Sequence, residues 1–303
     1  MINMHCPTLH ELPPASPSRR TGWPWTEESE QLPATMPNGK SWPRISIVTP
    51  SYNQGQFIEE TIRSVLLQGY PNLEYIMMDG GSTDRSVEII RKYEPWLAYW
   101  VSKPDDGQSA AIGEGFNRST GNILAWINSD DRYLTGTFAR VARFFTTRPK
   151  VAFGCGDINS IDVEGAFIKR AYVVRPWPFI TANTGWHRWF QQGSFWRRDI
   201  YEKVGGVDVS LQFCMDTELF IRLTRAGIGR RIPGPPLAEF RSHEAAKTSI
   251  LLDVYAQETA LLIKRYGNPK WISHPRLLML LWQLWNKPLG LRKRVIRWLG
   301  WEY

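Results

Sequence analysis

The chain has 303 residues, with 37 Lys and Arg against 29 Asp and Glu, and a formal net charge of +8. A hydrophobic share of 43% beside 22% charged residues excludes a mostly disordered chain, and the length allows one large α/β domain with a small appendage. Three scattered cysteines, Cys6, Cys155 and Cys214, exclude a disulfide framework and a cysteine zinc site.

Residues 1–43 carry eight prolines and read as an extended arm, which Trp23, Trp25 and Trp42 should lay against the domain. The chain shows no positively charged start followed by an apolar run, so no secretory signal is expected. No stretch reaches the roughly 18 apolar residues of a spanning helix. From residue 44 strand and helix patterns alternate. Residues 45–49 form a β-branched run that ends at Pro50, as a buried strand would. Phe57, Ile58, Ile62, Val65 and Leu66 then recur at helical spacing until Gly69-Tyr70-Pro71. Residues 74–79 read as a second strand, and Gly80-Gly81-Ser82-Thr83-Asp84 as a turn into a helix carrying Val87, Ile89 and Ile90. A third strand is expected over 97–101, a helix near 108–116, and a strand over 122–127 that ends in Asn128-Ser129-Asp130-Asp131. This alternation predicts a mostly parallel, Rossmann-like sheet flanked by helices, with a helical C-terminal appendage.

Ligands of such sheets sit beyond the carboxyl ends of the strands, so three polar, acidic strand ends should share one rim. Asp130 and Asp131 would repel each other there without a cation, and oxygen ligands suit Mg²⁺ or Mn²⁺. An ordinary turn or helix cap is the plainer reading of two adjacent acids. Asp79 and the glycines after it could meet a base or ribose, whereas Asp84 reads as a helix cap. The sequence lacks G-x-G-x-x-G after its first strand and lacks a P-loop, which argues against a nicotinamide dehydrogenase and a P-loop ATPase.

In order, Ile47-Val48-Thr49-Pro50-Ser51-Tyr52-Asn53, Asp79-Gly80-Gly81-Ser82-Thr83-Asp84, Lys103-Pro104-Asp105-Asp106-Gly107-Gln108 and Trp126-Ile127-Asn128-Ser129-Asp130-Asp131 are followed by two further stretches. These are Gln192-Gly193-Ser194-Phe195-Trp196-Arg197-Arg198 and Met215-Asp216-Thr217-Glu218-Leu219-Phe220. The set resembles an inverting family 2 glycosyltransferase of the GT-A fold over about residues 42–250. The resemblance implies that Thr49, Pro50 and Tyr52 flank the nucleotide, with Tyr52 stacking on the base. It implies that Asp79 holds the base or ribose and that Asp105 and Gln108 line the nucleotide pocket. Asp130 and Asp131 match the metal-binding acidic motif, with Asp130 also facing the nucleotide sugar and Asp131 the direct ligand of Mn²⁺ or Mg²⁺. Asp216 matches the general base, against the plainer reading of a helix cap. His243 would reach the metal or diphosphate, with Lys247 near the phosphates. Gly80 and Asn128 depart from the pattern, standing where many relatives have an acid.

The expected reaction moves a sugar from a nucleotide-diphosphate donor, a UDP- or dTDP-sugar, to a glycan or lipid-linked acceptor of a cell-surface polysaccharide or glycolipid. A non-catalytic nucleotide-sugar-binding or membrane-associated scaffold is the alternative, and the presence of both Asp131 and Asp216 argues against it. Trp186, His187, Arg188 and Trp189 could form an acceptor platform or join the core, and Arg197 and Arg198 could serve the diphosphate or merely pair at the surface. Residues 271–303 hold six basic residues against Glu302, hence +5 of the net +8, and five of the 15 tryptophans. Residues 251–303 therefore read as a basic, Trp-rich helical tail that either lies on an anionic membrane surface or packs on the protein. Nucleic acid is not an expected partner, since no recognition motif accompanies the charge. The expected location is the cytoplasm, at the inner face of the plasma membrane where the tail binds it.

Overall fold

The β-branched and apolar runs form β1 (Ile45–Ser51), β2 (Leu73–Asp79), β3 (Tyr99–Ser102) and β4 (Ile123–Trp126). The computed structural model describes residues 6–15, 20–174, 178–185, 187, 189–243 and 251–285. β1 and β2 are buried along their whole lengths, as strands covered on both faces must be. β1 lies parallel to both β2 and β4, and β2 parallel to β3. The amphipathic helices α1 (Ile58–Leu66), α2 (Ser86–Tyr93) and α3 (Gln108–Arg118) make the crossovers that parallel pairing requires. After α4 (Thr137–Thr146), three more strands complete the sheet: β6 (Val151–Cys155), β9 (Ser194–Arg197) and β10 (Ile228–Arg231). The order is β10-β6-β9-β4-β1-β2-β3, with β9 antiparallel to both its neighbours.

Ile45, Ile47, Ile62, Val65 and Phe138 pack on one face of the sheet. Val48, Ile76, Ile112, Phe116, Trp126 and Trp196 pack on the other, following the two-residue alternation of each strand. The third strand starts two residues later than its pattern suggests, because Glu94–Trp96 form a 3₁₀ turn that Leu97 ends.

A second sheet, which the sequence pattern does not announce, joins β5 (Arg132–Tyr133), β11 (Ala238–Arg241), β7 (Ile158–Ile161) and β8 (Phe167–Ala171) in the order β5-β11-β7-β8. It binds the segment after β4 to the segment that carries His243.

The remaining helices include α5 (Pro178–Thr184), α6 (Arg198–Lys203) and α7 (Met215–Ala226), followed by α8 (Leu252–Tyr266), α9 (Pro269–Ile272) and α10 (Pro275–Trp285). Leu262, Leu278 and Leu281 are buried. Through residue 285 the tail therefore packs on the protein, while the basic run over 287–298 lies outside the described residues. Among the described residues no helix is long and apolar enough to cross a membrane.

The N-terminal arm does lie against the domain. Cys6, Leu12, Met36 and Trp42 join the core on the α1 side. Arg63, buried on α1, holds the arm by donating to the carbonyls of Pro13 (3.1 Å), Pro24 (3.0 Å) and Trp25 (3.2 Å). Replacing Arg63 with alanine leaves three carbonyls without their donor, and should cost about 3 kcal/mol of unfolding free energy in urea melts. An unchanged midpoint would mean that the arm is not part of the folding unit.

Candidate active site

The carboxyl ends of β1, β2, β3 and β4 lie along one edge of the sheet, and side chains stitch their loops together. Asn53 takes a left-handed conformation (φ 52). Its N–H donates to Ser82 Oγ at 2.8 Å and its Oδ1 accepts from the Thr83 N–H at 2.9 Å. Asp84 accepts from the N–H groups of Gly55 (2.8 Å) and Ser86 (2.9 Å), so it ties the first residue of α2 to the β1 loop. Burial opposes ionisation, yet hydrogen bonds from Ser86 and Gly55 hold its carboxyl below the ordinary value.

The structure separates the residues expected to meet the nucleotide. Thr49 is fully buried, with Oγ1 3.1 Å from the Tyr75 hydroxyl, and Pro50 is buried beside it. Of that trio only Tyr52 projects, at 62% exposure. The Asp79 carboxylate accepts from Gly81 N–H, Ser82 N–H, Ser82 Oγ and Ser102 Oγ at 2.5–3.2 Å. Three of these bonds fall on Oδ2 and one on Oδ1, so Asp79 shapes its loop. Asp105 is exposed at the rim and lies against Gly80, where a Cβ would come within 3.1 Å of its Oδ2. Partial burial pushes the Asp105 carboxyl up; the Gly107 N–H opposes this, and the charges of Asp79, Asp106 and Glu114 add to it.

Asp130 and Asp131 point opposite ways. Asp131, expected to be the direct metal ligand, is 1% exposed. Its Oδ1 accepts from the Arg241 N–H at 2.9 Å and its Oδ2 from Gln192 Nε2 at 2.9 Å. Asn128 Nδ2 approaches the same Oδ2 at 3.4 Å, and Gln108 Nε2 in turn donates to Asn128 Oδ1 at 2.7 Å. Burial first, and the Asp130 charge second, push the Asp131 carboxyl well above its ordinary range. Asp130 instead turns to the rim, where its Oδ2 lies 3.0 Å from His243 Nε2. Arg241 fixes this arrangement, donating from Nε to the Asp130 carbonyl at 3.0 Å. Phe57 lies under both the Arg241 guanidinium and the His243 ring, each 5.0 Å away.

The 3.0 Å between Asp130 Oδ2 and His243 Nε2 is an ordinary hydrogen-bond distance, and the same two atoms are also spaced as ligands of a divalent cation would be. Two neighbouring ligands of an octahedral ion, each about 2.1 Å from it, stand about 3.0 Å apart. A carboxylate oxygen with an imidazole nitrogen suits Mn²⁺. Among the described residues no three His, Cys, Asp or Glu side chains converge. An ion here would take its remaining ligands from a phosphate and water, as Mg²⁺ and Mn²⁺ sites commonly do.

Asp216 stands in the first turn of α7, and its Oδ1 accepts from the Thr217 N–H at 2.6 Å and from Thr217 Oγ1 at 3.2 Å. His187 Nε2 lies 2.9 Å from the same Thr217 hydroxyl, and its Nδ1 accepts from the Trp189 N–H at 3.3 Å. That acceptor role leaves the proton on Nε2, which donates to Thr217. Before α7, Glu258 of α8 gathers the N–H groups of Gln212 (2.6 Å), Phe213 (2.9 Å) and Cys214 (2.7 Å). Arg241, Glu258 and the link from Gln192 to Asp131 carry no signal in the sequence, because each acts through partners far away in the chain. Trp189 is core, packed on Phe153 and Phe220, while Trp186, Arg188 and Lys247 lie outside the described residues. Arg197 and Arg198 bond carbonyls of residues 121, 145 and 151 at the opposite edge of the sheet, and so take no part in the rim.

The family model for Glycosyl transferase family 2 matches residues 46–205. An uncharacterized glycosyltransferase of Mycobacterium tuberculosis is 29% identical over 191 residues, covering 60% of this chain and 69% of the relative. Among solved structures, S. aureus TarS 1-349 in complex with UDP-GlcNAc superposes with a TM-score of 0.58 at 16% identity, covering 78% of this chain and 70% of that one. The mannosyltransferase PcManGT from Pyrobaculum calidifontis, in complex with GDP-Man and Mn²⁺, gives 0.54 at 15% identity over 91% of this chain and 84% of that one. At these identities the two structures show a shared GT-A fold.

Burial holds the His187 imidazole below its ordinary value of 6.5, although the Asp216 charge pulls the other way. The folded state then binds this proton less readily than the unfolded chain, so the stability it confers is complete above about pH 6.5 and drains as pH falls below that value. The thermal midpoint should drop between about pH 6.5 and pH 5, and His187→Gln should flatten that part of the profile. Equal slopes in both proteins would assign the acid sensitivity to other groups.

Proposed function

The chain belongs to glycosyl transferase family 2, and from that premise we propose that it moves a sugar from a nucleotide-diphosphate donor to an acceptor hydroxyl in one displacement that inverts the anomeric centre. The observation that carries the reading is the Asp130–His243 pair, held 3.0 Å apart beyond the end of β4 on the rim of a parallel sheet. Tyr52 offers its ring to the base, Asp105 accepts from the base or ribose over Gly80, and Gln108 lines the same pocket. Asp79 and Asn53 hold the loops that present them.

Asp130 and His243 would hold Mn²⁺ or Mg²⁺, with Asp131 behind them as the anchor of the turn. Such an ion supplies Lewis-acid stabilisation of the charge gathering on the departing diphosphate. Asp216 takes the proton from the acceptor hydroxyl as it attacks. Thr217, itself oriented by His187, fixes one oxygen of that carboxylate and leaves the other for the acceptor. The bound UDP-GlcNAc of TarS and GDP-Man of PcManGT support a nucleotide-sugar donor, and we take UDP- or dTDP-sugars as the first class to try. A glycan or lipid-linked acceptor of a cell-surface polysaccharide, reached from the cytoplasmic side, completes the proposal.

A thermal-shift series with UDP-, dTDP- and GDP-sugars, each with Mn²⁺ or with EDTA, tests donor and cation together. Stabilisation should need both ligands in the native chain and should lose its Mn²⁺ dependence in Asp130→Ala and His243→Ala. Asp216→Asn should retain the donor shift while transfer falls by about 10³-fold. Normal turnover in Asp216→Asn would reduce that residue to a helix cap, and metal-independent stabilisation would remove the cation from the proposal.

A further inference from the structure

The rim continues past the acidic turn toward the far edge of the large sheet. Gln192, bonded to Asp131, is two residues from Ser194; Ser194 pairs with Cys155, and Cys155 with Arg231. Three strand spacings of about 4.8 Å therefore set Arg231 about 14 Å from β4 on the same edge. There three arginines surround one carboxylate. Arg231 donates to Asp157 from Nε (3.1 Å) and from its terminal nitrogen (2.5 Å), and Arg170 does so at 2.8 Å. Arg140, from α4, donates to the Pro236 carbonyl at 3.1 Å.

Two guanidiniums meeting one buried carboxylate would make an ordinary structural knot. Three leave a local charge of +2, and the Nε atoms of Arg140 and Arg170 are buried with no acceptor among the described residues. Burial, together with the charges of Arg170 and Arg231, pushes the Arg140 guanidinium below its ordinary value, so the excess charge is felt within the cluster. The cluster is also reachable, since the side chains of Arg231 and Arg170 are 40% and 31% exposed. The exposed ring of Tyr172 lies 5.1 Å from the Arg170 guanidinium and extends the surface with an amphipathic face.

We propose that Arg140, Arg170 and Arg231 form a subsite for a phosphate group carried by the acceptor. A phosphate bears a charge of about −1.5 to −2 and three acceptor oxygens, which match both the excess charge and the forked donors. The word acceptor rests on the transferase reading; the anion site itself does not. The acceptor is thereby an anionic glycan phosphate or a lipid-linked phosphate, chemistry that the two arms of the test separate.

The full chain is titrated with glycerol 1-phosphate at fixed ionic strength, followed by calorimetry. Arg231→Gln and Arg170→Gln should each weaken binding by about tenfold or more, whereas Asp157→Asn, which removes the competing carboxylate, should tighten it several-fold. Flotation with phosphatidylglycerol vesicles against phosphatidylcholine vesicles is the second arm. Loss of vesicle binding in the arginine variants identifies a lipid phosphate, and loss confined to glycerol 1-phosphate identifies a glycan phosphate. Phosphate affinity unmoved by either arginine variant overturns the subsite, as does weakening by Asp157→Asn in a protein of native thermal midpoint. Nucleotide-sugar stabilisation should be unchanged in both arginine variants; its absence from the native chain would sink the transferase reading while leaving the anion site standing.

Discussion

The Arg241 guanidinium is the contact on which the site depends. It is 1% exposed and carries a charge that the interior cannot hold unpaired. Its terminal nitrogens donate to Glu60 Oε2 at 2.8 Å and to the carbonyls of Asp162 (3.1 Å) and Val163 (2.9 Å), while Nε takes the carbonyl of Asp130. One planar group thus ties α1, the acidic turn and the β7–β8 turn to β11. Lysine could not replace it, because a single ammonium cannot reach four acceptors spread around a plane. Glu60 also pairs with Arg132, which pairs with Glu239, so the buried charges alternate in sign and each has its partner. Two residues beyond this anchor, His243 has little choice but to sit beside Asp130.

The same network explains what the sequence could and could not disclose. The strand ends and their acids are legible because a buried parallel strand must read as a β-branched run, and the run stops where polar residues begin. Tyr52 stands on one of those strand ends, whereas Asp105 and Gln108 are singled out only by the family resemblance. Which of two adjacent acids faces the rim is a different kind of question. Asp131 is drawn inward by Gln192, 61 residues away, and by the Arg241 N–H, 110 residues away. Nothing local at Asp130-Asp131 encodes those partners. The second sheet escapes for a related reason: β5 has two residues, and β11 has four, Ala-Glu-Phe-Arg, whose charged members are buried against Arg132 and Glu60, partners that the local sequence does not name.

Thr49 and Asp79 show the limit of carrying roles by position. Both stand in the expected stretches, but a strand's side chains alternate, and a residue one place from the rim faces the core. Thr49 accordingly meets Tyr75 inside the sheet. Asp79, at the end of its strand, turns its carboxylate to Gly81, Ser82 and Ser102 and shapes the loop there.

The turn before α7 bears on where the proposed diphosphate would lie. Helix starts gather unpaired N–H groups and bind phosphates readily, so the turn before Asp216 would be an obvious candidate. Glu258 already fills it with three charge-assisted hydrogen bonds from the N–H groups of 212–214. A diphosphate there would have to displace a carboxylate anchored on α8 and would place its negative charge beside Asp216, which the proposed reaction needs free to accept a proton. The Asp130–His243 end of the rim has neither obstacle once a cation offsets its charge. In the proposed reaction donor and acceptor would divide along the edge: the acids and the proposed cation position by β1 to β4, Asp216 on the neighbouring helix, and the arginines by β6 and β10. This polarity, and not the net +8 of the whole chain, is what would orient an anionic acceptor for transfer.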